Sequence, residues 1–495
     1  MIRPARILMM SFLVMLMGCS EKNTHQLAGN DIFSITVSIP KAATKAVMGD
    51  KAGEIYPVYW ENGDRISLNG LISGGLSGVE DKTSEARFNV IGKPSSPYTV
   101  LYPGKEGQNG SVTFLQHQTY TDGSVASGSL PMVGVSESLK AVSMEHIGAV
   151  LCLPLTGKTT IRGILLRAVA GEPLSGEYDL KEKSVKAPQT GGFIWLDAPS
   201  AVSLSDNPKL FYISIPAGKY SEGIRLTVFD ENGYNTIVSF GSEGLTAERG
   251  MVYELPQTEF VARPSAACFV TRPSELNLAD DYIVVLADMD MSGISWRTVD
   301  FSGVIEGLGH ELTGMEAPLV NNLKGRIHNL KIDSEMIVSD RSEAGIFACG
   351  NTGGLIEDCV AVGSMIVNNS SISAISYFGG ICGRNRGTVF NCINGADITG
   401  SSEIKESSVS IHFGGVTGAG AGQIIQNCIN EGNVSYEGSP DAYVGGITGR
   451  GTSGAVITGN SNYGRVKSNK SKNVGAIIGS YSTSTVEDNS DYSGQ

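Results

Sequence analysis

The chain has 495 residues, of which 41% are apolar and 18% charged, so it can form several packed cores and is not disordered as a whole. Glycine accounts for 63 residues and aromatic side chains for 7%, which is typical of turn-dense β architecture rather than of helical bundles. The formal charge of -13 repels polyphosphate and excludes nucleic acid as a favoured partner.

The first residues have the pattern of an export signal. Two arginines precede an apolar run over residues 7–17, which is too short to span a bilayer. The run ends in Leu16, Met17, Gly18 and Cys19, and these residues resemble the bacterial lipobox.

The lipobox resemblance implies that a lipoprotein signal peptide, residues 1–18, is removed and that Cys19 becomes lipid-modified. Acyl chains on Cys19 would then hold the protein on a membrane without a transmembrane helix. The polar residues 19–31 are expected to form a tether. The alternative is an ordinary secretory signal in which Cys19 is incidental.

Two blocks of short strands follow the tether. Residues 32–156 alternate apolar and polar side chains in runs such as 33–39 and 98–102, separated by Gly, Pro, Asn and Asp. Residues 157–262 continue this pattern, for example at 223–229. Short strands without helical patterns between them predict two antiparallel β-sandwich domains.

Four segments in these blocks resemble the fimbrillin family of type V pili. They are residues 60–66 (WENGDRI), 145–151 (EHIGAVL), 211–218 (FYISIPAG) and 249–255 (RGMVYEL). The resemblance extends over roughly residues 30–262 and implies two fimbrillin-like sandwiches. The alternative is any secreted protein with two sandwich domains.

The family resemblance also implies assembly by donor-strand exchange, in which an extended segment of one subunit fills a groove in its neighbour. An added strand satisfies the unpaired N–H and C=O groups of a sheet edge, and its alternate side chains fill pockets. Residues 36–39 are the candidate for a displaced N-terminal strand. The lysine-containing residues 41–51 are either a processing loop or an exposed basic loop.

Residues 263–495 form a glycine-rich repeat region. Residues 282–291 and 301–312 resemble the opening of GLUG-type repeats in bacterial adhesins. A small-residue marker then recurs about every 30 to 35 residues. Its members are Gly345, Gly380, Gly415, Gly446 and Ala476.

A second marker keeps pace with the first. It consists of Cys359, Cys392 and Cys428, each preceded by Asp or Asn, and it continues at Asn460–Ser461 and Asn489–Ser490. Repeats this short cannot close a core alone, so their stacking predicts a β-solenoid. We expect the glycines at corners with positive φ and the asparagines in a ladder. The alternative is a further β-sandwich with glycine-rich hairpins.

Seven cysteines remain after Cys19, an odd number that excludes a complete disulfide framework. None of them forms a CxxC pair, so most are expected to be small buried hydrophobes. A bridge between neighbouring repeats is the alternative.

Enzyme motifs are weak, and we expect no catalytic activity, no cofactor and no metal. Residues 449–454 match GxGxxG but lie in a repeat without βαβ context. The six histidines are scattered. Asp288 and Asp290 would share a strand face, which invites a calcium or acid/base interpretation, but no second carboxylate pair recurs in later repeats.

Three tyrosines near repeat edges are candidate glycan contacts, because aromatic faces stack on sugar rings. They are Tyr436, Tyr443 and Tyr463. Packing at the repeat edge is the alternative for each.

Together, the patterns and resemblances predict a surface-exposed lipoprotein of the outer membrane that serves as a fimbrial subunit, either accessory or a tip adhesin. Its expected partners are other fimbrial subunits, the membrane through the Cys19 lipid, and an unidentified glycan or protein on a host or bacterial surface. Residues 491–495 lack an alternating apolar strand to donate, which favours a tip position. The main alternative is a stand-alone surface glycan-binding lipoprotein, and a carbohydrate-active enzyme is the third candidate.

Overall fold

The structure, a computed structural model, describes most of the chain after the tether. The described residues are 32–39, 47–48, 58–80, 83–138, 140–368, 375–402, 410–438, 441–469 and 472–494. In these residues the regular structure is β apart from the short 3-10 helix Pro273–Glu275, so the predicted all-β fold class is confirmed. This part of the chain has no helix long and apolar enough to cross a bilayer.

The first sandwich consists of two sheets around one apolar core. The strands up to residue 146 are β1 (Ile32–Ser38), β2 (Val47–Met48), β3 (Val58–Tyr59), β4 (Ser67–Leu68), β5 (Leu71–Ile72), β6 (Glu85–Ile91), β7 (Tyr98–Tyr102), β8 (Ser111–Phe114), β9 (His117–Thr119), β10 (Met132–Ser136), β11 (Val142–Ser143) and β12 (Glu145–His146). The two sheets of this sandwich have the strand orders β11-β1-β6 and β12-β10-β7-β4-β5, and side chains from both fill the space between them.

The strands that follow, up to residue 259, are β13 (Gly148–Thr156), β14 (Thr160–Ala168), β15 (Gly176–Asp179), β16 (Ser184–Lys186), β17 (Ile194–Ser203), β18 (Lys209–Pro216), β19 (Gly218–Tyr220), β20 (Ile224–Asp230), β21 (Asn235–Phe240), β22 (Leu245–Ala247), β23 (Val252–Glu254) and β24 (Thr258–Glu259). The two sheets of the second sandwich have the strand orders β18-β13-β23 and β21-β20-β14-β17-β9. The strand β13, which sequence analysis places at the end of the first block, packs in the core of the second sandwich. The strand β9 also joins this sandwich, although β10 to β12 of the first sandwich follow it, so the strands of the two sandwiches are interleaved along the chain.

The remaining strands wind into the predicted β-solenoid. They are β25 (Cys268–Val270), β26 (Tyr282–Val285), β27 (Met289–Asp290), β28 (Val304–Glu306), β29 (Glu311–Met315), β30 (Val320–Leu323), β31 (Arg326–His328), β32 (Lys331–Val338), β33 (Glu343–Ala344), β34 (Ala348–Asn351), β35 (Leu355–Glu357), β36 (Val360–Asn368), β37 (Ser376–Gly379), β38 (Cys382–Asn385), β39 (Thr388–Phe390), β40 (Ile393–Asn394), β41 (Asp397–Ser402), β42 (Ser410–Gly414), β43 (Thr417–Gly420), β44 (Ile424–Gln426), β45 (Ile429–Asn430), β46 (Val434–Gly438), β47 (Asp441–Gly445), β48 (Thr448–Gly451), β49 (Val456–Thr458), β50 (Ser461–Asn462), β51 (Val466–Ser468), β52 (Val474–Gly475), β53 (Ile478–Tyr481), β54 (Thr485–Glu487) and β55 (Ser490–Asp491).

Four parallel sheets form the faces of the solenoid, and each complete turn visits them in the order face 1 to face 4. Face 1 runs from β25 to β54, face 2 from β27 to β55, face 3 from β33 to β52, and face 4 from β30 to β53. Within the described residues, the five strands of face 3 mark five complete turns. One continuous apolar core fills the space between the faces, as stacking of repeats requires.

The glycines of the first marker make room for a ladder of buried asparagines. The Asn394 amide nitrogen donates to Oδ1 of Asn430 at 2.8 Å, and Asn430 donates to Asn462 at 2.8 Å. A Cβ on Gly380, Gly415 or Gly446 would overlap the ladder asparagine and the backbone of the following turn.

The turn before this ladder has neither the asparagine nor the glycine. There the ladder position holds Ala361 instead of asparagine, and the position that stacks on Gly380 holds Ile346 instead of glycine. A large apolar side chain thus replaces glycine where the asparagine is missing. The expectation of a positive φ at the three glycines is wrong, because their role is to leave space.

Positive φ is instead found at another row of corner residues. Asp358, Asn391 and Asn427 have φ values of 53°, 51° and 56°, and Gly459 follows them with 68°. The cysteine of each turn comes next, and Asn460 hydrogen-bonds to the backbone N–H of Cys428, which places it above the cysteine.

The repeat register inferred from sequence is therefore wrong by one residue at Asn460, at Asn489 and at Gly345. Asn460 continues the cysteine row rather than the asparagine corners. The first marker also shifts, since Gly345 stacks on Gly379 and not on Gly380.

The cysteine row itself lies inside the solenoid. Cys359, Cys392 and Cys428 are fully buried, and each thiol donates to the carbonyl two residues before it at 3.2 to 3.3 Å. These three thiols form no disulfide bond within the described residues, so the row does not bridge neighbouring repeats. Burial raises the pKa of the Cys392 and Cys428 thiols well above the usual value, so both are held neutral.

We expect Gly415→Ala to lower the free energy of unfolding by about 1–3 kcal/mol, because the new methyl group overpacks the ladder at Asn430. The matched control is Gly395→Ala, whose Cβ would find its nearest neighbour at 3.5 Å. Denaturant unfolding of both variants is the measurement. Equal loss in the two variants would show that the ladder does not need glycine at 415.

Candidate functional site

The first strand, β1, lies in a slot of the first sandwich. It pairs antiparallel with β6 over its whole length, from Ile32 opposite Ile91 to Ser38 opposite Glu85. On its other side it pairs in parallel with β11 over two residues only. Most of the hydrogen bonding that holds β1 therefore comes from one neighbour.

The side chains of β1 alternate, and those that point inward fill the core. Ile35, Val37 and the following Ile39 are at most 3% exposed. Burial of three such side chains contributes on the order of 5–9 kcal/mol. The Trp60 indole N–H donates to the Val37 carbonyl oxygen at 3.3 Å, which adds a side-chain contact to the backbone of the strand.

Removal of β1 would create a groove with a defined shape. The edge of β6 would lose its partners, and the core side chains Trp60, Phe88 and Met144 would line a space that three apolar side chains had filled. An unpaired edge over an apolar groove is the structure that an added strand recognises. The predicted strand, residues 36–39, is thus part of a longer one that begins at Ile32.

Several predicted site residues lie outside the described residues. These are the lipobox residues Leu16, Met17 and Gly18, the lipidation residue Cys19, and the loop 41–51 apart from β2. Lipidation and processing therefore stay predictions.

The exposed position expected for Tyr436 is wrong, because this ring is 1% exposed. It lies above Gly400 of the previous turn and packs against Phe413 with 5.3 Å between ring centroids. A Cβ at Gly400 would overlap the Phe413 ring, so the missing side chain leaves space for Phe413, against which Tyr436 packs. Val434, two residues earlier on the same strand, is also buried, and this period-2 pattern could have revealed the inward direction.

Tyr443 has little free ring surface for a sugar. It stacks on His412 at 4.8 Å, His412 stacks on Tyr377 at 5.0 Å, and the Arg450 guanidinium lies 5.0 Å from the Tyr443 ring. Tyr463 is 50% exposed and stacks on Tyr492 at 4.8 Å. Of the three candidate tyrosines, Tyr463 is therefore the one with an exposed ring.

Two histidines that are distant in sequence meet where the second sandwich contacts the solenoid. The rings of His117 and His310 are 5.3 Å apart, and His117 Nε2 lies 2.8 Å from the Leu308 carbonyl oxygen. Burial and the neighbouring His310 lower the pKa of His117. Asp288 pairs with His310 Nδ1 at 3.0 Å instead of forming a carboxylate pair with Asp290.

The same junction contains a buried ion pair and an apolar cluster. Arg167 of the second sandwich pairs with Glu306 of the solenoid, whose side chain is 1% exposed. Burial alone would lower the pKa of Arg167, but the charge of Glu306 and its hydrogen bond raise it. Around the pair, Trp195 and Phe229 pack in one cluster with Val284. Sequence patterns did not reveal these contacts, because their partners are far apart in the chain.

No protein-family model and no curated protein matches the sequence. Among solved structures, a candidate cell adhesion protein from Bacteroides ovatus is 12% identical, with 46% of this chain and 95% of that chain covered and a TM-score of 0.30. One from Parabacteroides distasonis is 13% identical, with 46% and 87% covered and a TM-score of 0.26. The major pilin of Streptococcus pyogenes is 10% identical, with 45% and 99% covered and a TM-score of 0.13. Likeness at these TM-scores carries no argument about role.

We expect His146 to make the stability of the chain depend on pH. Neither ring nitrogen has a hydrogen-bond partner among the described residues, and burial lowers the pKa of His146 to about 3. Below about pH 6.5 the unfolded chain binds a proton at His146, whereas the folded chain does not. The contribution of His146 to stability is therefore fully present above about pH 6.5 and is lost as the pH falls towards 3.

The measurement is the free energy of unfolding at pH 7 and pH 4 for the natural chain and for His146→Leu. Between pH 7 and pH 4 the free energy of unfolding should fall by about 3 kcal/mol more in the natural chain than in the variant, because leucine cannot be protonated. Other groups titrate equally in both chains and cancel in the difference. The same loss in both chains would mean that His146 is solvated in the folded state.

Proposed function

We propose that this chain is a lipid-anchored surface protein that acts as a fimbrial subunit, either accessory or a tip adhesin, and is assembled by donor-strand exchange. The observation that carries the proposal is the slot of β1, with one full-length neighbour and three buried side chains. The lipobox residues support export and anchoring through Cys19. The proposal assigns the chain no catalytic role.

Exchange of β1 needs a cut in the chain. While β1 is covalently attached, its high effective concentration keeps it in the slot against any competing segment. A cut within residues 41–51, which contain Lys41, Lys45 and Lys51, would turn β1 into a free peptide. An alternating apolar segment of another subunit could then replace it and restore the pairing with β6.

We expect a labelled peptide with the sequence of residues 32–39 to enter the slot after trypsin has cut between Lys41 and Lys51, but not before. The reason is that the cut removes the advantage of the attached strand. Fluorescence anisotropy of the peptide measures binding to the cut and the intact chain.

The control peptide carries Ile35→Asp and Val37→Asp, which places charges at the two core positions. It should not bind to either form. If the cut chain binds neither peptide, or both equally well, strand exchange at this slot is refuted.

We also expect the chain to co-purify with sheared fimbriae from the organism that produces it, and Cys19→Ser to lose membrane attachment. Immunogold labelling then distinguishes positions, since a tip subunit labels fimbrial ends. A chain that labels only the cell envelope and is missing from the sheared fraction would favour the alternative, a stand-alone surface glycan-binding lipoprotein.

A further inference from the structure

A cleft of about 800 Å³ lies between the second sandwich and the solenoid, and we name it the junction cleft. Residues 167–172, Glu222 and Arg225 form the sandwich wall. The solenoid wall consists of face 1 residues near Phe390 and of a row of corner residues. Clefts between domains are common sites for small ligands.

The corner row in the cleft carries amide and carboxylate side chains. Asn329, Asp358, Asn391 and Asn427 occupy left-handed corners in four successive turns, with φ between 51° and 56°. Glycine takes this conformation without strain, and Gly459 does so in the first turn beyond the cleft. Asn and Asp accept this conformation more readily than other side chains, so it accounts for the residue types in the row, and Asp488 has it outside the cleft as well. What distinguishes the row in the cleft is which of its side chains have hydrogen-bond partners.

The first part of the row is occupied by protein contacts and the last part is open. Asn329 accepts from Arg167 and donates to the Thr190 carbonyl oxygen at 2.6 Å. Asp358 accepts from Asn391, and burial raises the pKa of Asp358. The exposed Asn427 side chain has no hydrogen-bond partner among the described residues. Its amide offers donors and an acceptor to a ligand.

Face 1 adds one aromatic ring and balanced charges. Glu306, His328, Glu357 and Phe390 stand above one another in successive turns. Glu306 forms an ion pair with Arg167, and His328 Nδ1 lies 3.0 Å from Glu357 Oε2. Phe390 is half-buried and is the aromatic residue of this row in the cleft.

The charges of the whole lining nearly cancel. The arginines are Arg167, Arg225 and Arg326, and the carboxylates are Glu172, Glu222, Glu357 and Asp358. Such a surface attracts neither a polyanion nor a polycation strongly. It suits a neutral ligand with many hydroxyl groups and one apolar face, which is the chemistry of a saccharide.

We propose that the junction cleft binds a neutral oligosaccharide, with Phe390 against a sugar ring and the amides of Asn391 and Asn427 hydrogen-bonded to its hydroxyl groups. The inference deepens the adhesin role proposed above and rests on it for the source of the glycan. Binding itself needs no fimbria, so it can be measured on the purified chain.

The test is binding of the purified full chain, carrying Cys19→Ser, to immobilised panels of neutral and of uronic-acid oligosaccharides. We expect binding to a neutral oligosaccharide. Phe390→Ala should weaken it about tenfold, and Asn427→Gly between about threefold and tenfold. The second variant keeps the left-handed corner free of strain, because glycine accepts it.

The matched control is Asp488→Gly, which makes the same kind of change at a corner with φ of 56° outside the cleft. It should bind like the natural chain, and all variants should keep its thermal unfolding midpoint. No binding to the neutral panel, or binding unchanged in both cleft variants, would overturn the inference. Binding to uronic-acid oligosaccharides alone, lost in Arg225→Gln, would overturn the assignment of a neutral ligand. None of these outcomes depends on whether the chain co-purifies with sheared fimbriae. Failure of the oligosaccharide proposal can therefore be distinguished from failure of the fimbrial proposal.

Discussion

The solenoid depends on like residues standing directly above one another in successive turns. The buried amides of Asn394, Asn430 and Asn462 show why the register matters. Each amide finds its partner only if the next turn presents an amide at the same height, and an unpaired buried amide costs about 1–3 kcal/mol. A slip by one residue would break every bond of the ladder at once, so the ladder selects a single register.

This constraint extends from the ladder to the glycines opposite it. The absence of a side chain at Gly415 leaves the space that the Asn430 side chain occupies. Earlier in the stack, Ile346 and Ala361 occupy the equivalent two positions without an amide. The glycine position and the ladder position that it faces therefore have to change together. The glycine-rich composition of the repeats follows from packing against the asparagines more than from tight corners.

Regular stacking also explains why a cleft forms at the junction. The second sandwich contacts the first turns through Arg167, Trp195 and Phe229, which meet Glu306 and the apolar cluster of the solenoid. The stack continues beyond the sandwich, and among the described residues the side chains of Asn391 and Asn427 have no hydrogen bond to a sandwich residue. The second sandwich covers only the first turns of the solenoid. The junction cleft therefore has a sandwich wall on one side and uncovered asparagine amides on the other.

Sequence patterns predicted what depends on local periodicity and missed what depends on distant partners. Alternation over residues 33–39 indicated β1, and two repeating markers indicated the turns. The markers could not show that Gly459 takes the corner and moves Asn460 into the cysteine row, because Gly and Asn both accept left-handed φ. The pair of Arg167 and Glu306 is separated by 139 residues, and no local pattern connects them.

The two candidate sites use separate cores, and this separation lets both proposals hold together. The slot of β1 belongs to the core of the first sandwich around Trp60 and Phe88. The junction cleft is built on other residues, near the cluster of Trp195 and Phe229. Because packing energies are mostly local, loss of β1 would disturb the first core and leave the cleft in place. A subunit could thus exchange its strand during assembly and still present an intact ligand site.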